Sequence, residues 1–345
     1  MISATFRDLV SRRRRGLSAG LLRGLLAAVE PVYSAMVRWR NRRYDRVGGV
    51  QVGVPVISIG NLTLGGTGKT PMVRWIVRFL RDRGIHPGIV SRGYGSVEGG
   101  ENDEARELAW LLPEVIHLQN ADRIAAAQEA VRKHHCQAIV LDDGFQHRRI
   151  ARDVDIVLVD ALEPFGFGHV FPRGTLREPI EGLRRADAVV LTRANLVDAP
   201  EREQIWQTVR QFAPAAVTAE AAHAPQSLLS ANGSEIPLEE VRGRKVLAFC
   251  GIGNPAGFRR TLESLGCDVV AFQEFPDHHR YQAVDIDRLL RQADQLGAEA
   301  ILCTCKDLVK WPVERLHRTP VWAVRIDLEF LAGQAAFESL LVERI

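Results

Sequence analysis

The stretch Pro55–Pro71, PVISIGNLTLGGTGKTP, constrains this chain more than any other. Val56, Ile57, Ser58 and Ile59 favour a β-strand, and they give way to a glycine-rich loop that ends in Gly68-Lys69-Thr70. The helix-compatible run MVRWIVRFLRDRG follows. Strand, glycine loop, helix is the setting a phosphate-binding loop requires. Glycines at 65, 66 and 68 let successive backbone N–H groups converge on an anion with no side chain in the way. Thr67 lies among them, Lys69 reaches for β- and γ-phosphates, and Thr70 offers its hydroxyl to Mg²⁺. The positive end of the helix dipole adds to the site. The pattern G-x-x-x-x-G-K-[ST] asks for glycine at position 63, where Thr63 stands, with Gly60 nearby. A plain glycine turn between strand and helix is the alternative reading of the same residues.

Charge is distributed unevenly. From Met1 to Arg46, eleven arginines face three acids, giving +8; the total of +3 leaves −5 for everything after. The basic charge therefore belongs to a segment and not to the fold. Within that segment Leu21, Leu22, Leu25, Leu26, Val29, Val32, Tyr33, Met36 and Val37 keep one apolar face over several helical turns, with Pro31 a point of kinking or division. Arg23 and Glu30 interrupt the apolar run, so a crossing of the bilayer is not expected. A basic amphipathic helix suits a segment lying on an anionic membrane surface, where each arginine contributes ~1 kcal/mol. A helix packed on its own domain with a solvated basic face has the same pattern. No aromatic interleaving or known module points to nucleic acid. Five cysteines in 345 residues do not make a disulfide framework, and Cys303-x-Cys305 lacks a second ligand pair for zinc.

Apolar strands alternating with helices along the chain predict a parallel sheet covered on both faces. Gly88–Val90 runs into a second glycine-bearing loop with Ser91, Arg92 and Tyr94. Glu101, Asp103 and Glu104 precede an apolar helical run and read as helix-start acids. Arg123 opens another helix. Ala138–Leu141 is an apolar strand ending in Asp142-Asp143-Gly144, followed by Gln146 and His147. An acid at the end of such a strand can hold Mg²⁺ or its water shell, and a strand-to-turn acid pair is the simpler reading. DVDIVLVDA and ADAVVLTRAN supply two more strands, and the loop between them carries Arg173, Arg177 and Glu178. Two arginines there suggest phosphate contacts, or solvated surface.

Taken together, SIGNLTLGGTGKTP, VSRGYG, DDGFQH, the loop ending in LRE, and FPDHH after a later strand resemble the tetraacyldisaccharide 4′-kinase family, the lipid A 4′-kinases of Gram-negative bacteria. The motifs keep one order from about residue 55 to 310. The resemblance implies transfer of the ATP γ-phosphate, with Mg²⁺, to the 4′-hydroxyl of a tetraacylated glucosamine disaccharide 1-phosphate, a lipid A precursor. It implies a peripheral enzyme on the cytoplasmic face of the bacterial inner membrane, with no obligate protein partner. Asp103 matches the family's G-D-E-P motif, proposed to supply the base near the attacking hydroxyl, although here the motif reads Asn102-Asp103-Glu104-Ala105. Asp142 and Asp143 match an acid pair implicated at the metal. Arg123, Arg177 and Glu178 match residues around phosphates, metal or headgroup, the last as a metal ligand. Asp277 and His278 match a pair thought to act with the aspartate base. A carboxylate supported by a histidine can take the proton of a sugar hydroxyl.

The expected division is a basic amphipathic helical segment over 1–46, a P-loop NTPase domain with a mostly parallel sheet over 47–217, a linker over 218–233, and a smaller α/β domain over 234–345. In the last, Gly251 and Gly253 lack the third glycine of a dinucleotide fingerprint. Thr304-Cys305-Lys306-Asp307 stands where the family has T-E-K-D, with cysteine in place of glutamate. Two other functions share the loop. A partitioning-type switch ATPase also carries G-G-x-G-K-T, but Leu64 occupies the place of its signature lysine. A non-enzymatic nucleotide-binding scaffold has no feature in its favour.

Overall fold

The computed structural model describes residues 4–93, 103–277, 279–311 and 318–345. Helices α1 (Ala4–Val10) and α2 (Leu17–Val47) precede β1 (Val56–Asn61), α3 (Lys69–Arg81) and β2 (Pro87–Ser91). Then come α4 (Asp103–Leu111), β3 (His117–Gln119), α5 (Arg123–His134), β4 (Ala138–Asp142), β5 (Val154–Asp160), β6 (Ala188–Thr192) and α6 (Ala199–Phe212). The chain continues through β7 (Val217–Ser230), β8 (Glu235–Ile236), β9 (Lys245–Cys250), α7 (Pro255–Ser264), β10 (Asp268–Glu274) and α8 (Ala283–Leu296). It ends with β11 (Ala300–Thr304), α9 (Cys305–Leu308), β12 (Val321–Ala332) and α10 (Gln334–Arg344). Two compact units result. The first holds Met1–Arg92, Val115–His223 and Leu328–Ile345; the second holds Gly93–Glu114 and Ala224–Asp327.

In the first unit the strands lie in the order β7-β6-β5-β1-β4-β2-β3, each pair parallel. Every residue of β1, β4, β5 and β6 is buried, as a sheet covered on both faces demands. Val56, Ile139 and Leu141 pack with Ala126, Ala127 and Ala130 of α5 on one side. Val157, Val159 and Leu191 pack with Ile205, Trp206 and Val209 of α6 in another core cluster. The chain leaves β1 toward β2 on one side and later crosses from β4 to β5 on the other, so β1 sits where the winding reverses. Ligands of open α/β sheets bind at the carboxyl end of such a strand. Helix α3 starts there. It buries Met72, Val73, Ile76, Val77 and Leu80, one face at helical spacing, worth roughly 1.5–3 kcal/mol per side chain. Trp75 on its flank stacks near Phe79, Phe330 and Phe337, which ties the carboxyl-terminal residues to this unit.

Helix α2 passes through Pro31 as one continuous element, neither broken nor divided. One side is docked on the first unit. Glu30 accepts from the Val170 amide (3.0 Å) and pairs with Arg173 (3.2 Å), and Arg148 binds Asp45 at 2.6 Å. Arg173 is thus committed to α2, not to a phosphate. The other side leaves Leu17, Leu21, Leu25, Val32, Met36 and Trp39 mostly exposed, Leu21 at 78%. By length and composition alone α2 is apolar enough to cross a membrane, Arg23 and Glu30 notwithstanding.

In the second unit β10-β9-β11-β12 form a parallel sheet. Helix α7 covers one face through Phe258 and Leu262, and α8 the other through Ile286, Leu289 and Ala293. Trp110 and Leu111 of α4 pack against the α8 cluster, and Arg106 donates to the Val309 carbonyl at 2.7 Å. These contacts place α4, and with it Asp103, in the second unit.

Candidate active site

The phosphate-loop candidate joins the carboxyl end of β1 to α3, and its geometry explains the missing glycine. Thr63 is not in a tight turn. It bridges Leu176 in antiparallel fashion, with Leu64 N–H donating to Thr175 O and Arg177 N–H to Leu62 O, each at 2.7 Å. The loop proper begins after Leu64. Gly65 and Gly68 take left-handed φ angles of +138° and +87°, which glycine adopts at little cost. A Cβ at Gly65 or Gly66 would meet no atom within 4 Å, so the backbone there is open to approach. The Thr67 hydroxyl is buried and has no hydrogen-bond partner among the described residues. A buried, unsatisfied hydroxyl beside an open glycine backbone and a helix N-terminus fits a nucleotide's phosphates.

Asp143, just past β4, is the electrostatic centre. Arg177 Nη1 lies 2.8 Å from both of its oxygens, and Lys69 Nζ lies 3.5 Å from Oδ1. Arg177 Nε also donates to the Thr63 carbonyl at 3.0 Å, so one guanidinium links loop and acid. Burial pushes the Asp143 carboxyl up, but the charges of Lys69, Arg177 and Arg123 together outweigh it and hold the group well below the usual carboxylate range. Its backbone is in the left-handed region, φ 51°, a conformation aspartate tolerates better than most residues. Two bonds fix it there: Arg123 Nη1 to the Asp143 carbonyl (2.9 Å) and the Gly144 amide to Ile59 O (2.9 Å). Arg123 starts α5 because Asp122 caps that helix through the Ile124 amide at 3.2 Å. Buried, it supports the acid's backbone.

Asp142 ends β4 opposite Ile59 of β1, and Thr70 lies in the first turn of α3. Hydroxyl and carboxylate are hard oxygen donors that suit Mg²⁺, which leaves several positions to water and phosphate. Glu178, expected among the metal ligands, has its carboxylate taken up by other side chains. Fully buried, it accepts from Arg185 (2.8 and 3.0 Å), Asn41 (2.8 Å) and Gln146 (3.1 Å). Gln146 also donates to Asn61 O at 2.9 Å. Glu178 therefore stands behind Gln146 as support, and among the described residues no three acidic, histidine or cysteine side chains gather as a metal cluster.

A second group of polar residues forms within the second unit. Lys310 Nζ lies 3.6 Å from Asp103 and 3.5 Å from Asp307, and Lys306 Nζ 3.0 Å from Asp277. Asp307 is fully buried and accepts from Tyr281 (2.8 Å), Thr304 (2.6 Å) and the Gly251 amide (3.1 Å). The two acids matched to proton handling, Asp103 and Asp277, are thus each paired with a lysine of Cys305–Lys310. His278 lies outside the described residues. Its neighbour His279 stacks on Phe275 at 4.7 Å and bonds Asp285 at 2.9 Å. Lys310 escaped the sequence reading because it lies just past the Thr304–Asp307 stretch; its burial is a tertiary fact.

Thr192, Arg193 and His223 also escaped it. They meet the loop from the end of β6 and the middle of β7: Thr192 donates to Thr67 O (3.0 Å) and Arg193 to Gly66 O (2.6 Å). The rule that located Asp142, polar residues after a buried apolar strand, applies equally to Thr192 and Arg193.

The chain matches the tetraacyldisaccharide-1-P 4′-kinase family over residues 22–345. It is 39% identical to a tetraacyldisaccharide 4′-kinase of Anaeromyxobacter sp. (strain K), covering 96% of this chain and 93% of that protein. It is 38% identical to the enzyme of that name from Syntrophus aciditrophicus, covering 92% of each. The crystal structure of LpxK from Aquifex aeolicus in complex with ATP superposes with a TM-score of 0.73 at 29% identity, covering 93% of this chain and 99% of that one. With the loop, the acid pair and the parallel sheet in place, the chain belongs to the tetraacyldisaccharide-1-P 4′-kinase family.

Proposed function

We propose that this protein transfers the γ-phosphate of ATP to the 4′-hydroxyl of a tetraacylated glucosamine disaccharide 1-phosphate, a step of lipid A biosynthesis. The observation that carries the reading is the convergence of Lys69 and Arg177 on Asp143 beside an open glycine loop. Phosphoryl transfer asks mainly for positioning and charge neutralisation. Lys69 and Arg177 supply fixed positive charge, and the amides of Gly65–Thr70 supply donors. Magnesium, when bound, neutralises phosphate oxygens; Thr70 and Asp142 are the residues that would hold it, with Asp143 beside them. Asp103 accepts or orients the proton of the attacking hydroxyl, fixed by Lys310, and Asp277 with His278 assists. The outward apolar side of α2 and the exposed Arg12–Arg15 hold the enzyme peripherally on the cytoplasmic face of the inner membrane.

A switch ATPase remains disfavoured by Leu64, which stands in the place of its signature lysine. One assay separates the two. Purified protein with Mg-ATP and the disaccharide 1-phosphate lipid in detergent micelles should yield the 4′-phosphorylated lipid. Lys69→Ala should lower turnover by at least about a hundredfold with an unchanged circular dichroism spectrum. ATP hydrolysis without a phosphorylated lipid would overturn the kinase reading.

A further inference from the structure

The end of β6 and the middle of β7 meet three consecutive loop residues. Thr192 Oγ1 donates to Thr67 O at 3.0 Å and Arg193 Nη2 to Gly66 O at 2.6 Å. Arg193 Nη1 is anchored on Asp160 at 2.8 Å, and its Nε donates to His223 Nδ1 at 3.5 Å. His223 in turn abuts Gly68: a Cβ built on that glycine would lie 2.2 Å from Nε2 and 2.6 Å from Cε1. The edge of the ring that faces the residue before Lys69 is therefore the Nε2–Cε1 edge. Arg193 itself holds a left-handed φ of 55°. For arginine that is an uncommon conformation, and it persists only where surrounding contacts impose it.

The tautomer follows from the partners. A guanidinium N–H can only donate, so Nδ1 must accept, and the ring proton of the neutral imidazole sits on Nε2. Burial and the nearby Arg193 charge hold the ring's pKa down to about 3, so it is neutral at physiological pH. The Nε2 atom is buried and has no acceptor among the described residues. A second buried polar atom without a partner, Thr67 Oγ1, belongs to the same loop. Buried donors left unmatched cost free energy unless something completes them.

We propose that His223 is a nucleotide-binding residue whose Nε2–H donates to an oxygen of the bound triphosphate, with Arg193 as the positioning residue that fixes its tautomer and the loop. This rests on the reading of Pro55–Pro71 as a nucleoside triphosphate site. A neutral donor adds a directional bond there without adding to the charge already supplied by Lys69 and Arg177. It also gives a reason for glycine at position 68 beyond backbone freedom: any side chain would displace the donor.

The test reads the ring directly. Long-range ¹⁵N–¹H spectra of histidine-labelled full-length protein should show His223, assigned by its loss in His223→Leu, as the Nε2-protonated tautomer. Its Nε2 resonance should shift on adding Mg-ATP, and equally on adding Mg-tripolyphosphate. Calorimetric binding of Mg-ATP should weaken roughly 10- to 100-fold in His223→Leu, the loss of a bond to a charged acceptor. In His223→Gln, whose amide keeps a donor at that reach, most of the affinity should return. Arg193→Met should mix the tautomers of His223. Wild-type protein that binds Mg-ATP with an unmoved Nε2 resonance, or a shift with ATP but none with tripolyphosphate, would overturn the proposal. So would unweakened binding in His223→Leu. Wild-type protein that fails to bind Mg-ATP at all would remove the nucleotide site, and this role of His223 with it.

Discussion

A buried lysine is tolerable only where carboxylates meet it, and Lys310 has two within 3.6 Å while its side chain is 5% exposed. Asp307, its fully buried partner, is held by Tyr281, Thr304 and the Gly251 amide and cannot swing out to water. Removing the ammonium would leave that carboxylate without its cation in a low-dielectric interior. Lys310→Met is therefore expected to destabilise the second unit by about 3 kcal/mol, read as a lower urea midpoint. An unchanged midpoint would mean that the pair is solvated and that Asp103 is not fixed through it. Cys305 illustrates the same scale from the other side. In place of the glutamate of the T-E-K-D pattern, a thiol is buried here against the Val324 carbonyl.

Helix α2 is the element whose two sides separate two roles. Its inward side is specified residue by residue: Glu30 on Val170 and Arg173, Tyr33 on the Arg177 carbonyl, Asn41 on Glu178. Each tie reaches the Val170–Glu178 loop or its flank, so α2 buttresses the segment that carries Arg177. Its outward side is apolar without partners among the described residues, with arginines at both ends. Attachment to an anionic vesicle should then have a charge part and an apolar part. Replacing Arg12–Arg15 by alanine should weaken binding to such vesicles at low salt and lessen its dependence on salt, because four of the screened charges are gone. Leu21→Asp with Leu25→Asp should weaken it at every salt concentration. If cosedimentation is the same for all three proteins, α2 is not the attachment element.

For the molecule as a whole, acid stability is set by groups that the fold keeps from protonating. His147 is lowered from 6.5 to about 4, by burial first and then by the charges of Arg123 and Arg152. A group with a depressed folded pKa contributes stability that is present above its unfolded value and lost as the pH falls through the folded one. The stability of the first unit should therefore be greatest above about pH 6.5 and fall steadily toward pH 4, with His223 adding to the slope. Asp143, also depressed, extends the loss below the ordinary carboxylate range, as its protonation frees Lys69 and Arg177. Urea midpoints measured from pH 8 to pH 4.5 should decline across this window. His147→Gln should flatten the decline, and a flat wild-type profile would show that the ring titrates normally.

The strand–loop–helix order around Pro55–Pro71, the buried parallel strands and the acids at the end of β4 were legible in the chain alone. These features are written in contiguous residues, and local pattern dictates them: glycine where backbone must approach an anion, unbroken apolar runs where both faces are covered. Tertiary structure alone decided how distant residues share charge. Arg177 closes on Asp143 only because residues 175–177 bridge back to Thr63, and this pairing also explains why Thr63 can replace a glycine. Glu178 looks like a metal ligand in a motif but is consumed by Arg185, Asn41 and Gln146. Asp103 precedes β3 and β4 in sequence, yet the packing of Trp110 and Leu111 on the α8 cluster carries it to Lys310 in the second unit. Local preference acts over a few residues, whereas a buried charge takes its partner from wherever packing delivers one.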